Sequence, residues 1–211
     1  MADLNQLFEA ILNGDAKTSA AVTREALASG SAPMDLITGY MVPAMDEVGK
    51  RFECEDYFVP ELLLSGRAMK ASMELLRPLL VQQGVEPVGR VVIGTVKGDL
   101  HDIGKNLVAS MLEGGGFEVI DLGADVAPEV FVETARAKNA GLIALSALLT
   151  VTMNSMRTTI QAFEKAGTRG QVKVMVGGAP VTQQFADEIG ADGFSENASS
   201  AVALARKLLA A

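Results

Sequence analysis

From position 90 to the end, short apolar runs alternate with amphipathic stretches, and no two runs of one kind are adjacent. The runs predict strands over 90–96, 117–122, 142–146, 172–176 and 192–194. The stretches between and after them predict helices over 103–113, 128–139, 151–166, 181–189 and 198–209. Strict strand–helix alternation implies a parallel sheet covered on both faces, because each crossover lays its helix on the sheet. Five strands suit the doubly wound order 2-1-3-4-5, with a switch point between the first and third strands. Ligands of such sheets bind beyond the carboxyl ends of the strands beside that point.

Before position 87 there is no convincing strand. Leu4, Leu7, Phe8 and Ile11 fall at helical spacing, closed by Asn13-Gly14. Asp15 can cap a second helix that ends at Ser29-Gly30, and Pro33 suits the first position of a third. In that third segment Ile37, Met41, Met45, Val48 and Phe52 form a stripe, which Pro43 should kink or split. A last helix begins near Pro60, with Leu62, Gly66, Met69, Met73, Leu76 and Leu80 on its apolar face. Four helical segments with short connections predict a small bundle. The Gly- and Pro-punctuated stretch 81–87 reads as a linker. The expected domains are therefore a helical one over 1–86 and an α/β one over 87–211.

Charge and composition exclude several classes of function. A net charge of −8 argues against nucleic acid and anionic membranes as partners. No apolar run approaches the roughly 20 residues of a membrane helix. The start of the chain, Met-Ala-Asp-Leu, is neither basic nor followed by an apolar signal core, so a cytoplasmic protein is expected. With Cys54 the only cysteine and His101 the only histidine, neither an intrachain disulfide nor a His/Cys zinc site can form. The 10 Met residues read first as core packing.

The loops at the switch point are small, polar or glycine-rich. They read Lys97-Gly98-Asp99-Leu100-His101, then Ser146-Ala147-Leu148-Leu149-Thr150-Val151-Thr152, then Gly177-Gly178-Ala179-Pro180. They do not make a P-loop, since five residues separate Gly98 from Gly104, and Asn106 follows Lys105 where a magnesium-binding hydroxyl belongs. The dinucleotide fingerprint Gly-x-Gly-x-x-Gly is absent after the first strand. A phosphoacceptor reading fails too, because Asp99 stands beside a His and glycines rather than acidic neighbours. His101 is different. Asp99, two residues before it, can accept from one ring nitrogen and leave the other basic, as in many metal-bound imidazoles. Gly98 and Gly104 on either side would let a large flat group approach.

These residues carry a resemblance. Asp99-Leu100-His101-Asp102-Ile103-Gly104 matches the Asp-x-His-x-x-Gly signature of cobalamin-binding domains. Ser146-Ala147-Leu148 matches their Ser-x-Leu motif and Gly177-Gly178 their Gly-Gly motif. The stretches Tyr40-Met41-Val42-Pro43-Ala44-Met45-Asp46-Glu47-Val48-Gly49 and Tyr57-Phe58-Val59-Pro60-Glu61-Leu62 resemble the helical cap of methyl-carrying corrinoid domains. The chain thus resembles the corrinoid proteins of methyltransferase systems and the cobalamin-binding module of methionine synthase. The implied fold is a four-helix bundle cap followed by a flavodoxin-like (Rossmann-type) five-stranded parallel sheet domain.

The resemblance implies cobalamin, or a related corrinoid, with its nucleotide tail in a slot of the sheet domain. His101 would be the lower axial ligand to cobalt, Asp99 would hold its far nitrogen, and Thr152 would extend the relay where the family's best-known member has Ser. Ser146, Leu148 and Thr150 would line the slot. Gly94, Gly98, Gly177 and Gly178 would let the tail lie against backbone, and Leu100, Asp102, Ile103 and Gly104 would complete the binding loop. On the cap, Phe58, Leu62 and Leu63 would shield the methyl group. The implied role is a carrier rather than a catalyst on its own. It would take a methyl group from a substrate-specific methyltransferase and give it to a second methyltransferase, toward tetrahydrofolate or coenzyme M, in O-demethylase or methylamine/betaine systems. A reductive activase would be a further partner, and a homodimer stays open. Three alternatives remain: a cobalamin-dependent sensor, the cobalamin subunit of a mutase, and a cofactor-free doubly wound module.

Overall fold

The computed structural model describes residues 3–84 and 86–210. Val85, inside the predicted linker, lies outside the described residues, as do Met1, Ala2 and Ala211. The chain divides into two compact units. One runs to Pro87 and takes in Glu113–Gly116; the other holds Val88–Leu112 and the chain from Phe117 onward.

The helical unit contains α1 (Leu4–Leu12), α2 (Ala16–Ala28), α3 (Pro33–Leu36), α4 (Val42–Glu53) and α5 (Val59–Gln82). Asp15 caps α2 as its sequence position suggests, accepting from the Thr18 N–H at 3.0 Å. The expected break at Pro43 takes a particular form. Pro43 offers no N–H and its ring crowds the preceding turn, so Ile37–Met41 widens into a π-helical turn, with the Val42 N–H bonded to the Ile37 carbonyl. The chain stays helical through α3, this turn and α4. Pro78 lies within α5. Leu7, Ile11, Met41, Met45, Leu62, Met69 and Leu76 fill the core. Ser19, Thr23 and Ser72 share hydrogen bonds of 2.6 and 2.9 Å between α2 and α5, so their buried hydroxyls are satisfied.

In the α/β unit the strands are β1 (Arg90–Thr95), β2 (Glu118–Asp121), β3 (Leu142–Ser146), β4 (Lys173–Gly177) and β5 (Gly193–Ser195). Helices α6 (Ile103–Gly114), α7 (Pro128–Lys138), α8 (Asn154–Lys165), α9 (Gln183–Ile189) and α10 (Ala198–Ala210) complete the alternation. Among the described residues five strands form one parallel sheet of order β2-β1-β3-β4-β5. The central strands are buried on both faces, which is why they read as continuous apolar runs. Val92, Ile143, Leu145, Val174 and Val176 join Phe131, Met156, Ile160 and Phe163 in one core. Among the described residues no helix is long and apolar enough to cross a membrane.

One departure from expectation bears on the site. Helix α8 starts at Asn154, not at 151: the Thr152 and Met153 N–H groups close a turn on the Leu149 carbonyl, at 3.0 and 3.2 Å, and the Leu148 and Leu149 N–H groups point to Asp99. A second concerns Gly94. It is buried in β1, and a Cβ there would lie 2.7 Å from Phe131 Cζ and 3.3 Å from Val126 Cγ2. Gly94 makes room for the α7 ring. Phe131 is fully buried and cannot swing aside. Gly94→Ala should therefore cost about 1–3 kcal/mol of stability by overpacking, read as a lower urea midpoint at unchanged slope.

Candidate corrinoid site

The site forms where the loops after β1 and β3 meet, the point at which the strand order reverses. Its anchor is Asp99, whose side chain is 0% exposed. One carboxylate oxygen, Oδ1, accepts from the His101 N–H at 3.0 Å and from His101 Nδ1 at 2.8 Å. The other, Oδ2, accepts from the Leu148 N–H at 2.8 Å, the Leu149 N–H at 3.3 Å and Thr152 Oγ1 at 2.7 Å. Desolving a carboxylate costs several kcal/mol, whereas each hydrogen bond to a charged group returns about 1.5–3 kcal/mol. Several donors are needed for the anion to win, and several are present. Burial by itself pushes the carboxyl pKa up. The Thr152 hydroxyl, the Leu148 and His101 amides and the imidazole outweigh it and hold Asp99 well below the usual carboxylate range.

An ionised Asp99 can only accept, so His101 carries its proton on Nδ1. Nε2 has no partner among the described residues, and the ring is half exposed at 51%. The loops that carry His101 and the donors to Asp99 also expose Leu100, Ile103 and Val151, by 76%, 75% and 82%, and Leu148 and Leu149 less so. Several exposed large apolar side chains on two adjoining loops mark a ligand surface. With an unpartnered ring nitrogen on the same loops, these residues fit a large, mainly apolar metal complex that His101 would hold.

The B12 binding domain family matches residues 89–203, and a second B12 binding domain family matches residues 3–77. The chain belongs to the B12-binding family. The trimethylamine corrinoid protein 1 of Methanosarcina acetivorans is 45% identical over 203 residues, covering 95% of this chain and 94% of that one. A cobalamin-binding protein from Desulfitobacterium hafniense superposes with a TM-score of 0.80 at 35% identity, over 99% of both chains. The methanol:cobalamin methyltransferase complex of Methanosarcina barkeri superposes at 0.86 and 27% identity, over 98% of this chain and 79% of that one. The cofactor of the family is a cobalamin or related corrinoid, and that is the cofactor of this chain.

The structure brings the predicted residues together unequally. Asp99, His101, Thr152 and the Leu148 backbone form one connected group. Thr150 is exposed on the same loop, and Ser146 is half-buried with its carbonyl accepting from the Val96 N–H at 3.0 Å. Gly98 (φ +88°) is exposed, and Gly104 has nothing within 4 Å of a Cβ, so both leave the open space expected of them. Asp102 instead holds the start of α6, accepting from Asn106 Nδ2 at 3.1 Å. The Gly-Gly pair answers first to the fold: a Cβ on Gly178 (φ +134°) would sit 1.9 Å from the Ala147 carbonyl oxygen, and one on Gly177 3.1 Å from the Ser195 carbonyl. In the helical unit Phe58 is exposed and Leu63 half-buried, but Leu62 is fully buried in the core and presents no surface to a ligand.

Several residues went unread in the sequence. Lys105, nearly fully buried in the first turn of α6, ion-pairs with both carboxylate oxygens of Asp121 at the end of β2 and reaches Asn106 Oδ1 at 2.7 Å. Thr95 Oγ1 donates to the His101 carbonyl at 2.9 Å. Asp125 accepts from the Gly98 N–H.

Asp99→Asn places an NH2 group among donors, and should cost on the order of 3 kcal/mol at neutral pH. The native carboxyl titrates below its unfolded value, so the wild-type advantage is complete above about pH 5 and is lost as pH falls through 4 and lower. Urea titrations of both proteins between pH 3 and pH 7 should show the gap closing on the acid side.

Proposed function

We propose that this chain is a corrinoid methyl carrier of a methyltransferase system, receiving the methyl group from a substrate-specific methyltransferase and passing it to a second one. The observation that carries the reading is the His101 imidazole, pinned through Nδ1 to a buried anion, with Nε2 unpartnered among the described residues and exposed apolar side chains on the same loops. When bound, the corrinoid supplies a cobalt centre able to take up a methyl group and give it up again.

The chain's own residues set the terms. Asp99 keeps the Nδ1 proton in place and so keeps the lone pair on Nε2, where a metal needs it. A proton delivered to Nε2 would occupy that same lone pair and compete with the metal. Thr152 has one hydroxyl proton and two acceptors, Asp99 Oδ2 at 2.7 Å and the Leu149 carbonyl at 2.8 Å. It can therefore follow the charge on Asp99 without any movement of the backbone.

Methylamines are the donors we favour, on the strength of relatives named trimethylamine and dimethylamine corrinoid proteins, the latter from Methanosarcina barkeri at 42% identity. The acceptor we assign is coenzyme M or tetrahydrofolate, and a reductive activase would restore carriers that have lost an electron.

The test is reconstitution of the full chain with hydroxo- or methylcobalamin. Wild type should give a spectrum of corrinoid ligated by imidazole with its own nucleotide base displaced. His101→Ala, shown to be folded by circular dichroism, should lose that ligation and weaken binding by at least about tenfold, the equivalent of 1.4 kcal/mol. Failure of the wild-type chain to bind any corrinoid would overturn the reading.

A further inference from the structure

The loop that presents His101 is held from outside by a residue of another loop. Asp125 lies between β2 and α7, in the left-handed region at φ +55°. Its Oδ1 accepts from the Gly98 N–H at 2.7 Å, and its own N–H donates to the Asp99 carbonyl at 2.9 Å. Next to it, the Val126 N–H donates to the Thr95 carbonyl at 3.0 Å, and Val126 pairs with Val96. Asp125 therefore brackets Gly98 and Asp99, holding the peptide before Gly98 through its side chain and the peptide after Asp99 through its backbone.

Two features say this grip has a purpose. A backbone at positive φ is the natural place for glycine, and an L side chain there is strained. The side chain at 125 gives back one thing that glycine lacks, an acceptor aimed at Gly98. Gly98 itself sits at φ +88°, and the nearest atom to a Cβ built there is Thr152 Cγ2 at 3.7 Å, so local packing does little to fix this turn. A small rotation there would carry Asp99 away from the Leu148 and Thr152 donors and slacken its hold on the imidazole.

We infer that Asp125 is a positioning residue for the His101–Asp99 pair, and that its hydrogen bond to Gly98 fixes the ring tautomer that leaves Nε2 free. The inference rests on the corrinoid reading for its consequence in the loaded protein, but its first readout needs no cofactor. His101 is the only histidine in the chain, so 15N-histidine labelling of the full-length protein yields one pair of ring signals.

Wild type should show the Nδ1–H form dominating. Asp125→Gly keeps the backbone conformation and deletes the acceptor; its ratio of Nδ1–H to Nε2–H should fall by about fivefold, the expected effect of losing one hydrogen bond. Asp125→Asn keeps an acceptor oxygen and tolerates positive φ, and should retain the wild-type ratio. The same order should hold in the imidazole-ligated fraction of cobalamin-loaded protein. An unchanged ratio in Asp125→Gly overturns the inference, and so does an equal fall in Asp125→Asn, which would make the charge the cause. If Asp125→Gly does not fold, amide exchange at Gly98 in the wild-type chain decides: protection supports the hydrogen bond, and exchange at the rate of an open loop overturns it. Should His101→Ala bind and colour cobalamin as wild type does, the corrinoid reading fails while the tautomer result stands on its own.

Discussion

The local architecture of the α/β unit depends on keeping one carboxylate ionised without water. Asp99 is buried, and an unpaired buried charge would sooner be neutralised than tolerated. The solution recruits donors from two loops that are far apart in sequence and adjacent only because β3 lies beside β1. The order of strands is therefore part of the chemistry. The chain after β3 passes through turns before α8 begins, and the Leu148 and Leu149 amides of that stretch point to Asp99.

Around that anchor, close packing decides what each glycine is for. Gly178 and Gly177 keep the β4 loop from colliding with carbonyls of the β3 loop and of β5, and Gly94 accommodates Phe131. These are demands of the fold, and any ligand lying near Gly177 and Gly178 uses space that the fold has already cleared. Gly98 and Gly104 behave differently, because nothing presses on them. The same division runs through the leucines. Leu142 and Leu145 are core, whereas Leu100, Leu148 and Leu149 stay exposed on rigidly held loops, a burden that a monomeric surface carries when a partner or ligand covers it.

Much of this was legible beforehand. Alternation of strands and helices is a consequence of burial on both sheet faces, so it survives in the sequence and implies a parallel sheet, whose order β2-β1-β3-β4-β5 is the one that five such strands suit. The His–Asp pair was readable because both partners lie in one loop, two residues apart. What stayed hidden depends on contacts between loops. Nothing local to Asp125, Asp121 or Lys105 announces a partner, since each pairs across a strand crossing. The packing of Phe131 over Gly94 stayed hidden because a glycine in a strand looks the same whatever stands over it. Leu62 was misread because helical periodicity gives a core face without saying which of its members keep any surface.

Anchor and ligand have opposite relations to solvent, and the contrast explains how the site can be both rigid and reactive. Asp99 is sealed and held by donors on both oxygens, so its orientation is fixed before any cofactor arrives. His101, one bond network away, is left half exposed, so its outer nitrogen can bind and let go without opening the core. Were the imidazole buried as deeply as the carboxylate, releasing a metal would strand a polar nitrogen in an apolar interior, a loss of about 1–3 kcal/mol. Placing the exposed nitrogen on a buried anchor would keep that penalty away from the binding and release of a metal held by His101.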